Sequence, residues 1–133
     1  MMKTISVKTD SHTQFIDITG EIKSVVADSN VKQGMAVVYV PHTTAGITIN
    51  ESADPSVRTD IINSLEKNIP WSDNYRHSEG NAAAHIKASL MGSSVNIMIE
   101  NGRLVLGTWQ GVFFCEFDGS RSRKVIVKVI ESS

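Results

Sequence analysis

Near the C-terminal end the chain carries two dipeptides, Asn101-Gly102 and Asp118-Gly119, each set between runs of β-branched and aromatic residues. Such pairs take the positive backbone angles of tight turns whose twist suits antiparallel strands, so they predict hairpins in this region. The flanking runs are Val95 to Ile99, Leu104 to Leu106, Gly111 to Phe117 and Lys124 to Ile130. Met35 to Val40 is continuously apolar, which reads as a central strand covered on both faces and stopped by Pro41. Ile47 and Ile49, alternating with Thr48 and Asn50, predict another strand. Thr4 to Lys8 and Gln14 to Ile18 alternate as well, and the polar turn Asp10, Ser11, His12 between them predicts that they pair as a hairpin.

Helical spacing is equally legible. Ile22, Val25 and Val26 lie on one face, with Thr19 available as a cap and Gly34 beyond the end. Asp54 caps a second segment, Pro55 takes its first position, and Val57, Ile61, Ile62 and Leu65 form a stripe that runs until Pro70. Trp71 to Gly80 has neither period and reads as a loop. Asn81 then caps a helix through Leu90, closed by Gly92. No composition break or repeat divides the chain, so residues 1–133 are read as one domain. The expectation is an α+β fold: mainly antiparallel sheet with two or three helices packed on the outside.

Charge excludes some functions. Thirteen basic residues stand against 14 acidic ones, spread along the chain, so no bulk field favours nucleic acid or an anionic membrane. Arg121, Arg123 and Lys124 are the local exception; they read as a solvated hairpin end, with phosphate binding as the alternative. Cys115 is the single cysteine and can form no internal disulfide, while its neighbours Phe113, Phe114 and Phe117 mark a buried strand thiol. The N-terminal residues lack the pattern of a signal peptide, and no window approaches 18 apolar residues. A cytoplasmic protein is expected.

Four histidines carry the chemical argument. His12 lies in an early turn and is expected at the surface. His42 follows the apolar strand and precedes Thr43 and Thr44, at a strand end where folds present polar groups to ligands. His85 sits in the first turns of its helix, on one face with Ala82 and Ser89, near the positive end of the dipole. Further polar groups gather at neighbouring junctions: Asn50, Glu51 and Asp54 after one strand, and His77, Glu79 and Asn81 before the helix of His85. Histidines with a carboxylate suit zinc or another divalent ion, though the spacing matches no common signature. Phosphate-binding glycine loops and the serine elbow are absent. Trp109 and Gln110, at a bend between strands, could cover a ligand or fill a subunit contact.

The segments PHTTAGITINESADPSVRTD, HSEGNAAAHIKASLMGSS and LGTWQGVFFCEFDGSRSRKV, in this order and spacing, resemble the YjbQ-like family, also described as secondary thiamine-phosphate synthases. The resemblance runs from about Gly34 to the C-terminus. It implies an α+β fold on antiparallel sheets, a homotrimer, and polar pockets near subunit contacts. The matching positions are His42, Thr43 and Thr44; Glu51 and Asp54; His77, Asn81, His85 and Ser89; and Trp109, Gln110 and Glu116. Family members commonly carry proline after the last Asp-Gly, where this chain has Ser120.

The implied activity is weak: an aminopyrimidine diphosphate joins a thiazole phosphate with release of diphosphate. His42, Asp54 and His85 are then the expected catalytic groups, with Thr43, Thr44, Glu51, Asn81, Ser89, Trp109, Gln110 and Glu116 expected to hold substrate. Mg²⁺ or Zn²⁺ is the expected cofactor, with His42, His77 and His85 as candidate ligands. The expected partner is a small phosphorylated metabolite. Two other classes remain open on the residues alone: a metal-assisted hydrolase of a small phosphorylated or acyl compound, and a non-catalytic protein that binds a small anion.

Overall fold

The computed structural model describes residues 1–133. In chain order the elements are β1 Met2–Lys8, β2 Gln14–Asp17, α1 Thr19–Ser29, β3 Gln33–Tyr39, β4 Ala45–Glu51, α2 Pro55–Asn68, α3 Ala82–Met91, β5 Ser94–Glu100, β6 Arg103–Leu104, β7 Gln110–Glu116 and β8 Ser122–Glu131. The fold is α+β, with three helices on two antiparallel sheets. One sheet has five strands in the order β1-β8-β3-β5-β6, and the other has three in the order β2-β7-β4.

Only one of the two dipeptides makes a hairpin. Asn101 and Gly102 both have positive φ, 52° and 75°, and join β5 to the two-residue β6. Asp118-Gly119 instead carries the chain from one sheet to the other, since β7 and β8 belong to different sheets. The glycine is needed there for contact: a Cβ on Gly119 would lie 2.2 Å from the Ser11 carbonyl oxygen. The N-terminal hairpin is also overturned. β1 pairs with β8, from Met2 opposite Lys128 to Lys8 opposite Ser122, and β2 pairs with β7. Alternation identifies a strand but not its partner, and here Val7 and Phe15 are drawn into different cores.

The larger core lies between the sheets. Ala36, Val38, Ile97, Val125 and Val127 face Ile47, Val112 and Phe114, with Ile22, Val25 and Val26 of α1 closing it. The smaller core sits on the other face of β7, where Phe113, Cys115 and Phe117 meet Phe15, Ala84 and Ala88. The strand covered on both faces is therefore β7, not β3. Ala36 and Val38 of β3 are buried, but Met35 and Val37 are half-buried and Tyr39 is 44% exposed. Period-two inspection of Met35 to Val40 fails because its outward residues are apolar too.

Helix ends differ in detail from expectation. Ile18, not Thr19, holds the cap position of α1, and the Asp17 carboxylate accepts from both the Thr19 N–H (3.0 Å) and its hydroxyl (2.6 Å). The helix stops at Asn30, in the left-handed region at φ 59°. Gly34 lies beyond it in β3, where a Cβ would come within 2.0 Å of the Ile130 carbonyl oxygen. Gly34→Ala is expected to lose about 1–3 kcal/mol of stability through this backbone collision. A lower urea midpoint at unchanged slope is the measurement that checks it. Helix α2 begins as expected, with Asp54 accepting from the Ser56 N–H at 2.9 Å and Pro55 in the first turn. No helix is long and apolar enough to cross a membrane.

Candidate functional site

Three segments converge at the end of the three-stranded sheet where β4 begins. The link from β3 to β4 supplies His42, Thr43 and Thr44. The link from β7 to β8 supplies Asp118 and Arg121, and the loop before α3 supplies His77, Glu79 and Asn81. Small residues let α3 approach: Ala83 and Ala84 are fully buried, and a Cβ on Gly46 would lie 2.8 Å from the Gly92 carbonyl oxygen. His85 thereby faces His42 across the same cavity.

The floor is a buried ion pair. Glu116 is 0% exposed and Arg123 5%. Arg123 Nε donates to Glu116 Oε1 at 2.8 Å, and Nη2 donates both to Oε2 and to the Thr44 hydroxyl, the latter at 2.9 Å. The Thr9 hydroxyl and the Asp118 N–H also donate to Glu116, each at 2.9 Å. Burial raises the Glu116 carboxyl, but these donors outweigh it and hold the group below the usual carboxylate range. Arg123 is therefore no solvated hairpin end. In β8 it shares the inward period of Val125, Val127 and Val129, a signal the sequence did contain.

A second clamp sits beside the first. The Arg121 guanidinium donates to the Asp118 carboxylate (3.0 Å) and carbonyl (2.8 Å), and Asn81 Nδ2 donates to the same carboxylate at 2.9 Å. Asn81 thus spends its side chain on Asp118 and not on capping α3, and its Oδ1 is buried without a partner. Across the cavity the rings of His77 and His85 meet edge to face, with centroids 5.2 Å apart.

His42 is fixed by a single bond. Its Nε2 accepts from the Lys124 N–H at 2.9 Å. A backbone amide can only donate, so the Nε2 lone pair is committed and the neutral ring carries its proton on Nδ1. Burial, then the charge of Arg123, holds the imidazole below its ordinary value of 6.5.

Two cavities open from these residues. The first, of about 440 Å³, is lined by polar residues apart from Pro41 and includes His42, His77, His85, Glu79, Arg121 and Arg123. The second, of about 500 Å³, is walled by small residues, Ala45, Ala88, Ser89, Gly92 and Ser93. His42, Thr43 and His85 line both. A separate cavity of about 440 Å³, between Lys23 of α1 and the turn at Gly102, holds none of the candidate residues.

Other candidates lie elsewhere. Glu51 pairs with Gln110 at the far end of β4 and β7, about 20 Å away at 3.3 Å per residue. Trp109 is 63% exposed at that same end, and Asp54 caps α2 in full contact with solvent. The convergence of His42, His85 and Asp54 is thus realised within the chain only for the imidazoles. Hydrogen bonding from the Ser56 N–H keeps the Asp54 carboxyl low, a capping effect. Asp54→Ala is expected to lower the urea midpoint by removing the cap of α2, with ligand affinity at the histidine cavity unchanged by calorimetric titration. Ser89 turns its hydroxyl back to the His85 carbonyl at 2.9 Å while lining the second cavity.

The residues fit a resident metal poorly. No three His, Cys, Asp or Glu side chains stand close enough to hold an ion, and the Nε2 lone pair of His42 is already engaged. Lys87 of α3 is 1% exposed, and its ammonium reaches Glu66 of α2 at 3.0 Å.

Comparison with known proteins agrees with this architecture. UPF0047 protein YugU of Bacillus subtilis is 48% identical over 131 residues, 98% of this chain and 99% of that protein. UPF0047 protein MJ1081 of Methanocaldococcus jannaschii is 55% identical over 98% of this chain and 94% of that one. Among solved structures, a YjbQ/UPF0047 protein of Clostridium acetobutylicum superposes with a TM-score of 0.95 at 61% identity, covering 96% of this chain and 99% of that one. A YbjQ-like protein of unknown function from Sulfolobus solfataricus gives 0.95 at 30% identity, covering 99% and 97%. Residues 3–132 match the family described as UPF0047 protein YjbQ-like, and the chain belongs to that family.

Proposed function

We propose that the protein is a cytoplasmic enzyme that joins two small fragments at the seam between its cavities, in a reaction of the thiamine-phosphate-synthase kind. One observation carries this reading: His42, Thr43 and His85 line both cavities, so groups able to move a proton stand between two compartments of different character. The polar cavity, with its guanidinium and threonine donors, suits a diphosphate that brings its own counter-charge. The small-residue cavity suits a flat ring. In the reaction the bond from carbon to the diphosphate oxygen breaks, diphosphate leaves with the electron pair, and the second fragment bonds to that carbon.

Mg²⁺ enters this reading with the diphosphate, as part of the substrate. A resident metal is not assigned. The expected homotrimer is supported by apolar side chains left open on the outer face of the five-stranded sheet: Met98 is 67% exposed, Tyr39 44% and Ile130 43%. Light scattering at micromolar concentration tests the assembly, and a monodisperse monomer counts against it.

The activity is tested by incubating purified protein with both fragments and following joined product by mass spectrometry and diphosphate by a coupled assay. Slow formation of both, lost in His85→Ala, is expected. Release of phosphate or diphosphate from one fragment alone would reassign the site to hydrolysis. Binding with no turnover would reassign it to a non-catalytic receptor.

A further inference from the structure

The polar cavity has too little positive charge for the anion it is shaped to hold. Each of its two cations already faces a carboxylate: Arg121 pairs with Asp118 and Arg123 with Glu116. Glu79 adds another carboxylate to the lining and has no cationic partner. His42 offers a neutral Nδ1–H, because Nε2 accepts from Lys124. Among the fixed charges, two guanidinium groups meet three carboxylates. A phosphate dianion entering alone would find no net attraction, and Glu79 would repel it.

The donors and acceptors are also segregated by chain segment. Donors come from the β3–β4 link, the β7–β8 link and the start of β8, as His42 Nδ1–H and the guanidinium groups of Arg121 and Arg123. The acceptor comes from the loop before α3, as the Glu79 carboxylate. The lining is polar apart from Pro41, so the part of the ligand lodged here is mainly polar.

We infer that the ligand group bound in this cavity is a small amino phosphate, with the phosphate against Arg121, Arg123 and His42 and the protonated amine against Glu79. The amine supplies the positive charge that the lining lacks, and Glu79 is the residue that selects for it. This rests on the reading of the polar cavity as a phosphate site, and is independent of what fills the second cavity.

The test is calorimetric titration of the full-length protein at pH 7.5 and low salt with two probes of similar size, phosphoethanolamine and glycerol 3-phosphate. The parent is expected to bind the amino phosphate about tenfold more tightly. Glu79→Gln, an exposed substitution that leaves the fold intact by circular dichroism, is expected to erase the difference. Arg121→Gln is expected to weaken both probes. Equal affinities in the parent, or a preference that survives Glu79→Gln, would overturn the amine assignment while leaving the phosphate site standing. Glycerol 3-phosphate that reaches the amino phosphate's affinity when Mg²⁺ is added, with the same dependence on Glu79, would reassign the positive charge to a metal carried by the phosphate. Failure of both probes to bind, with and without Mg²⁺, would remove the phosphate site itself.

Discussion

Glu116→Ala is expected to lower the unfolding free energy by about 3–5 kcal/mol, because it strands the buried Arg123 guanidinium without its carboxylate. In a chain of this length that corresponds to a fall in Tm of roughly 10–25 °C. The cost lies in the orphaned charge and not in a large favourable worth of the pair. A double replacement, Glu116→Leu with Arg123→Met, is therefore expected to recover most of the loss. The same double variant removes the guanidinium from the cavity, so stability returns while anion binding does not. Differential scanning calorimetry together with titration separates the two effects. Recovery of binding along with stability would show that Arg123 only supports the floor. The pH dependence has a definite sign. A carboxyl held below its ordinary value of 4.5 contributes stability that is fully present above that pH and is lost as pH falls through the lowered value. Acid unfolding of the parent is thus expected to begin below pH 4.5, and the double variant is expected to lack this component.

What could be read from the residues followed from local physics. The cap and proline of α2, the Asn101-Gly102 turn and the glycine end of α3 are fixed within a few positions of the chain, and each appears where expected. Partner choice between strands is decided by which core an apolar side chain reaches. Nothing near Val7 or Phe15 announces that these two residues enter different cores. Asp118-Gly119 misled for a related reason. Its aspartate is used to hold Asn81 and Arg121, and its glycine to clear the Ser11 carbonyl, so turn-forming residues were spent on a crossover. The imidazoles of the site were legible because strand ends and helix starts expose polar groups. Its arginines were not, since two basic residues in a polar stretch look solvated until the inward period of β8 is followed back to Arg123. Asp54 lies apart from the imidazoles within the chain, on exposed α2, and its sequence setting does not separate a capping aspartate from a catalytic one.

His42→Ala and His85→Ala are each expected to reduce turnover about 10²–10⁴-fold, the range by which a positioned proton donor or acceptor accelerates a reaction. The two should differ in pH dependence. His42 is neutral near pH 7, since burial and the Arg123 charge oppose its protonation, and its Nδ1–H is a donor aimed by the bond from Lys124. Acidification places a second proton on Nε2 against an amide that can only donate, so the bond breaks and the ring loses its aim. Turnover of the parent is therefore expected to fall on the acid side at a pH below 6.5, the ordinary value for the group. Stability moves the same way. Between the lowered value and 6.5 the unfolded chain binds more protons than the folded one, so stability declines as pH falls through that window. His42→Gln places an amide oxygen near the Nε2 position, where it can accept from the Lys124 N–H, and carries no titrating proton. It is expected to keep the link in place and to remove the acid limb. A pH–rate profile whose acid limb is unchanged in His42→Gln would assign that titration to another group and leave His42 a positioning residue alone.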